Sequence, residues 1–251
     1  MTYSNEDIGL AVALARTAGD LLLTLQRSSL LEGKALGKLG DKVSNAFIMA
    51  MLATARPGDA VLSEEEKDNH DRLKSERVWI VDPLDGTREY GEGRQDWAVH
   101  IALAVAGRPV VGAVALPGRG LVLRSDAKLN AAPRSSRKIR MLVSRTRPPR
   151  EAERIARELD AELIPMGSAG AKAMAVVLGE GDIYLHAGGQ YEWDNCAPAA
   201  VALGTGLHAS RLDGSPLLYN NEDPTLPDLL ICAPEIADIV LTSVKNLGSA
   251  I

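Results

Sequence analysis

The sequence predicts a mixed α and β protein in two halves, an antiparallel sheet half followed by an α/β half. Three observations carry that reading. Between Ala98 and Leu123 three β-rich runs are joined by Ala106-Gly107-Arg108 and Pro117-Gly118-Arg119-Gly120, the pattern of antiparallel hairpins. After Arg150, helix and strand signals alternate, which argues an α/β arrangement. Between the two lies a basic stretch, 127–150, holding Lys128, Arg134, Arg137, Lys138, Arg140, Arg145, Arg147 and Arg150, prolines and no acid. The halves are therefore expected at 1–130 and 131–251.

The elements follow in order. Ile8, Val12, Leu14, Ala15, Leu21, Leu22 and Leu25 recur at helical spacing, so 7–31 is expected to be a helix, capped by Ser4 or Asn5. Gly33, Lys34, Gly37, Lys38 and Gly40 read as a loop. A second helix is expected over 41–55, ended by Pro57-Gly58. Ala60 to Ser63 is a short strand that empties into Glu64-Glu65-Glu66. Residues 68–77 are charged and expected to be exposed. Val78 to Val81 is a buried strand that stops at Asp82-Pro83, because proline lacks the N–H a ladder needs.

In the second half, strands are expected at 139–143, 162–166, 182–186, 207–211 and 228–232. Helices are expected at 150–159, 171–178, 195–203 and 234–244. Ala187-Gly188-Gly189-Gln190 reads as a loop.

Composition sets limits. The chain has 251 residues, 46% of them hydrophobic, enough to bury a sizeable core. Its net charge of -5 and 4% aromatic content argue against a nucleic-acid binder, even with the basic run at 127–150. Cys196 and Cys232 lie outside any zinc spacing and are expected to be buried free thiols. The N-terminus lacks the charge and apolar pattern of a signal peptide. No apolar run approaches the roughly 20 residues that span a bilayer. The expectation is a soluble, cytoplasmic protein.

The chemistry concentrates in acids at strand ends and helix starts: Asp41, Glu64, Asp82, Asp85 and Asp194. If they converge, they need cations to stay ionised together. Oxygen ligands without His or Cys point to Mg²⁺ rather than zinc or iron. Paired Mg²⁺ ions beside the helix start at Gly86-Thr87 suit a phosphate ester. His70, His100, His186 and His208 are scattered and are expected to be structural or exposed. No Gly-x-Ser-x-Gly elbow or Ser/His/Asp arrangement is present.

Ser63-Glu64-Glu65, Asp82-Pro83-Leu84-Asp85-Gly86-Thr87 and Trp193-Asp194, in that order, resemble the inositol monophosphatase superfamily. The resemblance implies a layered αβαβα sandwich and a lithium-sensitive, Mg²⁺-dependent phosphatase, a homodimer using two or three ions. It implies that Glu64, Asp82 and the Leu84 carbonyl hold one ion, and Asp82, Asp85 and Asp194 another. Gly86 and Thr87 would bind the scissile phosphate with their N–H groups. Thr87, paired with Asp41, would orient and deprotonate the attacking water. Gly167 and Ser168 would border the leaving group. The chain departs from the family's Val-Thr-x-x-Asp at Lys38-Leu39-Gly40-Asp41. Ser63 stands where the family has Gly, which selects Glu64 over Glu65 and Glu66.

The continuation Arg88-Glu89-Tyr90 is similar to the 3'(2'),5'-bisphosphate nucleotidase (CysQ) branch, as are Val143-Ser144-Arg145-Thr146 and Gly167-Ser168-Ala169-Gly170-Ala171-Lys172. The tract His186 to Asp194 resembles the actinomycete form. This implies removal of the 3'-phosphate of 3'-phosphoadenosine 5'-phosphate (PAP), giving AMP, in sulfate assimilation. Arg88, Ser144, Arg145 and Lys172 would bind the nucleotide, with Arg145 and Lys172 neutralising its second phosphate. An inositol-1-phosphate or fructose-1,6-bisphosphate phosphatase is the alternative. A catalytically dead nucleotide-binding protein of the same fold is disfavoured, because all five acids and Thr87 are present.

Overall fold

The computed structural model describes residues 3–128, 138–146 and 148–248. The expected boundary at 130/131, and Pro133, Arg134, Arg137 and Arg147 of the basic run, lie outside the described residues.

Helices α1 (Asn5–Ser28) and α2 (Gly33–Ala55) come first. Five strands follow and form one sheet in sequence order: β1 (Ala60–Ser63), β2 (Arg77–Asp85), β3 (Ala98–Val105), β4 (Arg108–Leu116) and β5 (Leu121–Arg124). β1 and β2 are parallel; the other pairs are antiparallel. The short helix α3 (Thr87–Gly91) follows β2.

The second sheet has the order β7-β6-β8-β10-β9, with β6 (Arg140–Ser144), β7 (Glu162–Met166), β8 (Ile183–Tyr191), β9 (His208–Ser210) and β10 (Thr225–Cys232). β6 runs parallel to β7 and β8, and β10 antiparallel to β8 and β9. Helices α4 (Arg150–Glu158), α5 (Ala169–Val177), α6 (Glu192–Gly204) and α7 (Pro234–Gly248) complete it.

Side-chain alternation along the strands sorts the core into three seams. In β2, Val78 and Ile80 point to one face of the first sheet, Trp79 and Val81 to the other. One face packs on α1 and α2 through Ile8, Leu14, Leu22, Ile48 and Leu52. The other packs on α5 and α6, which also touch Tyr184, Leu229 and Ile231 of the second sheet. The second sheet's far face packs on α4 and α7 through Ile155, Ile236 and Val240. The layers are αβαβα, as expected.

Several local expectations were wrong. The glycine-rich 33–40 segment is helical, not a loop, and α2 begins at Gly33. Its glycines serve close approach: a Cβ on Gly37 would lie 2.7 Å from Thr87 Cγ2, and one on Gly40 2.8 Å from Tyr90 Cε1. β2 does not stop at Asp82-Pro83 but runs to Asp85. Pro83 fits because the pairing with β3 shifts register between Asp82 and Asp85, where no ladder N–H is required. β8 likewise continues through Ala187 to Gln190, where its pairing with β10 is irregular. Arg72, expected to be exposed, is buried and donates to Asp68, Asn220 and the Asn221 carbonyl. Finally, α1 is long and apolar enough, by composition, to cross a membrane. Here its apolar face packs into the core, and Glu6 and Asp7 open its first turn.

Candidate active site

Parallel pairing of β1 and β2 creates the centre of the site. Ser63 is in register with Val81, so Glu64, just past the end of β1, emerges beside Asp82 of β2. Glu64 N–H donates to the Val81 carbonyl at 3.3 Å. The end of β1 thus delivers Glu64 next to the β2 carboxylate of Asp82. Asp194 arrives from the other half, in the first turn of α6, where Tyr191 N–H donates to its Oδ2 at 2.7 Å.

Asp82, Asp85 and Asp194 each place a carboxylate oxygen within 4.8 Å of the others. Asp82 and Asp85 are buried. Burial, then repulsion from Glu64, Asp85 and Asp194, drives Asp82 well above the ordinary carboxylate range. Burial and Asp85 raise Asp194 to about 6. Burial, then Asp194, Asp41 and Asp85, raise Glu64 to about 7. Glu64 keeps an exposed surface, so solvent blunts part of that push. Glu66 is turned aside, its carboxylate held by Asn45 Nδ2 at 2.7 Å. Glu64 thus feels the push of Asp194, Asp41 and Asp85, while Glu66 is held away from them. Acids that repel one another this strongly, with no soft donor among them, fit a hard cation.

Asp85 behaves differently. Burial would raise it, but His100, Ser168 and Lys172 outweigh burial and hold it down at about 2. Ala169 N–H donates to its Oδ1 at 3.1 Å; Gly170 N–H at 2.6 Å and the Ser168 hydroxyl donate to Oδ2. Ser168 caps α5, accepting Ala171 N–H at 3.0 Å, with a positive φ of 53°. Residues 168–170 thus form a cradle of donors for one carboxylate.

Thr87 and Asp41 meet as expected. The Thr87 hydroxyl lies 3.3 Å from Asp41 Oδ1 and 3.1 Å from the Leu84 carbonyl, and its single proton serves one of them at a time. Burial, then Glu65, raises Asp41 to about 7. Gly86, with φ 89°, turns the chain into α3. Leu84 N–H donates to Asp82 Oδ1 at 3.0 Å, which fixes that carboxylate over its own turn.

The residues expected to bind nucleotide divide. Arg88 is exposed and paired with Glu92 at 3.1 Å. Arg145 bridges Glu89 and Glu92, at 2.9 Å each. Ser144 ends β6, paired with Met166 of β7. Gly167 N–H donates to Asp96 Oδ2 at 2.8 Å. Lys172 is neither a surface lysine nor an open anion site. It is buried, donates to the carbonyls of Gly167 and Ser168, and lies 5.2 Å from the centroid of the Tyr184 ring. Its charge faces Asp85, Glu89, Asp194 and Asp96.

Sequence reading missed His100. It is fully buried, with Nε2 3.2 Å from Asp85 Oδ2 and Nδ1 3.0 Å from the Trp193 carbonyl. Its signal was position: β3 pairs with β2, which places His100 opposite Asp82. Reading that from sequence would have needed the register across the bulge.

The fold and this acid site define a class, and the chain belongs to the inositol monophosphatase family, whose profile matches residues 5–247. Within it, the chain is 50% identical over 255 residues to the 3'-phosphoadenosine 5'-phosphate phosphatase of Mycobacterium leprae, covering 96% of this chain and 94% of that one. It is 54% identical over 220 residues to the protein of the same name from Mycobacterium bovis, covering 84% and 82%. Among solved structures, CysQ from Bacteroides thetaiotaomicron superposes with a TM-score of 0.78 at 24% identity, covering 92% of this chain and 98% of that one. That likeness speaks for the fold alone.

Proposed function

We propose that this chain is a Mg²⁺-dependent phosphatase that removes the 3'-phosphate of PAP, giving AMP and inorganic phosphate. The observation that carries the reading is the convergence of Asp82, Asp85 and Asp194, beside the Thr87–Asp41 pair, in a chain half-identical to PAP phosphatases. Asp82, Asp85, Asp194, Glu64 and the Leu84 carbonyl are the proposed ligands for two or three ions. Bound there, Mg²⁺ supplies Lewis acidity to the phosphate and lowers the pKa of water.

The chain's own residues supply the rest. The amides of Gly86 and Thr87 orient the phosphate. When Thr87 donates its proton to Asp41, its oxygen lone pairs are free to take a proton from the attacking water. Asp41, raised to about 7, is then a base matched to neutral pH. Ser168 and Gly167 wall the leaving-group side, with Ser168 acting through Asp85.

For the second phosphate, Arg145 and Arg88 converge on Glu92, an exposed carboxylate. Exposed pairs of this kind are weak, so a dianionic phosphate competes well with Glu92 for the two guanidinium groups. Lys172 contributes field rather than contact. At the edge of the site Tyr191 stacks on Trp193, with centroids 4.7 Å apart and planes 5° apart, and is 42% exposed. That flat surface suits a nucleobase better than an inositol ring. The resemblance also supports a homodimer; light scattering showing twice the chain mass would agree, and the single-chain mass would contradict it.

Chromatography of PAP incubated with the purified chain tests the activity. AMP and phosphate should appear with Mg²⁺ and not with excess EDTA. Release of the 5'-phosphate instead, or equal turnover in EDTA, would contradict the proposal.

A further inference from the structure

Asp85 and Asp194 come from opposite halves of the chain, yet a metal centre needs their separation fixed. The His100 side chain lies between Asp85 and the residue before Asp194. His100 sits on β3 and is fully buried. Its Nε2 faces Asp85 Oδ2 at 3.2 Å, and its Nδ1 faces the carbonyl of Trp193, the residue before Asp194, at 3.0 Å. A carbonyl only accepts, so Nδ1 carries a hydrogen. Nε2 lies 3.2 Å from Asp85 Oδ2, a close packing contact outside hydrogen-bond geometry.

The imidazole is also wedged. A Cβ on Gly170 would fall 2.0 Å from Nε2, so the ring occupies the space a side chain would take there. Gly170 N–H meanwhile donates to the same Asp85 oxygen at 2.6 Å. Oδ2 therefore faces the Ser168 hydroxyl, the Gly170 amide and His100, while Oδ1, among the described residues, takes only the Ala169 amide, at 3.1 Å. Oδ1 is the oxygen left for an ion.

We propose that His100 is a positioning residue of the metal centre, a strut that spans Asp85 and the Trp193 carbonyl and so sets the separation of the acids contributed by β2 and α6. This rests on the reading of those acids as metal ligands. Partners that orient a ligating group change metal affinity by about 10–100-fold when removed.

The test is calorimetric Mg²⁺ titration of the free protein, with no substrate, alongside thermal melts. His100→Asn keeps a donor near the Trp193 carbonyl but falls short of Asp85. It should bind Mg²⁺ about 10–100-fold more weakly, with the fold retained. Gly170→Ala displaces the imidazole without removing it and should weaken binding in the same direction. If His100→Asn fails to fold, Gly170→Ala carries the test alone. A folded variant of either kind binding within twofold of the parent would overturn the inference. A parent that takes up no Mg²⁺ would overturn the metal reading beneath it, which is a distinguishable result.

Discussion

At the scale of single residues, the site is a set of carboxylates in unlike environments. Asp85 is held ionised by His100, Ser168 and Lys172, which outweigh its burial; Asp82, Asp194, Glu64 and Asp41 are pushed towards their protonated forms. This has a sign that can be checked. Asp41 and Glu64 near 7 and Asp194 near 6 lie above their unfolded values of about 4. Their contribution to stability is full below about pH 4 and is lost as pH rises through 6 to 7. Asp85, lowered to about 2, keeps its contribution throughout that window. In EDTA, the melting temperature should therefore fall between pH 5 and pH 8. Mg²⁺ should restore more of it at pH 8 than at pH 5. A metal-free melting temperature that is level or rising over that range would contradict the electrostatics. For the chemistry, Thr87→Ala should lower kcat by about 10²–10⁴-fold, the range for losing proton transfer, with KM little changed. Arg145→Ala should do the reverse, raising KM for PAP roughly tenfold, as for a lost charged hydrogen bond. Steady-state kinetics separate the two.

At the scale of elements, most of the candidate site was legible because its residues sit where one element ends and another begins. Glu64, Asp194 and Thr87 follow strands or open helices, and local pattern marks such junctions; Asp82 was marked by the proline after it, although β2 runs on to Asp85. What was not legible depended on register and packing. His100 looked like a scattered histidine because its partner is across a bulged strand pair. Lys172 was expected to neutralise the second phosphate, but α5 lies between two sheets and buries all its faces. The 33–40 segment looked like a loop because glycine weakens a helix by about 1 kcal/mol against alanine. In α2 that weakness is outweighed by closeness to Thr87 and Tyr90. Propensity alone predicts that Gly40→Ala stabilises; packing predicts that it destabilises by about 1–3 kcal/mol. Urea melts decide, and the packing account requires a lower midpoint.

At the scale of the whole molecule, the middle seam joins the halves. Ile80, Ala102 and Val114 of the first sheet share a core with Tyr184, Leu229 and Ile231 of the second, through α5 and α6. A fragment ending near residue 130 would leave one face of its sheet bare. Urea unfolding followed by fluorescence and by circular dichroism should give one coincident transition. Two separated transitions would mean that the sheets hold up independently. The same seam carries the ends of β2 and α6 that bring Asp85 and Asp194 together, so the site needs both halves. The central claim is that this site hydrolyses a nucleotide bisphosphate. Its most direct test compares kcat/KM for PAP, inositol 1-phosphate and fructose 1,6-bisphosphate in one Mg²⁺ buffer. PAP should be preferred by a wide margin; equal or better turnover of inositol 1-phosphate would contradict the claim.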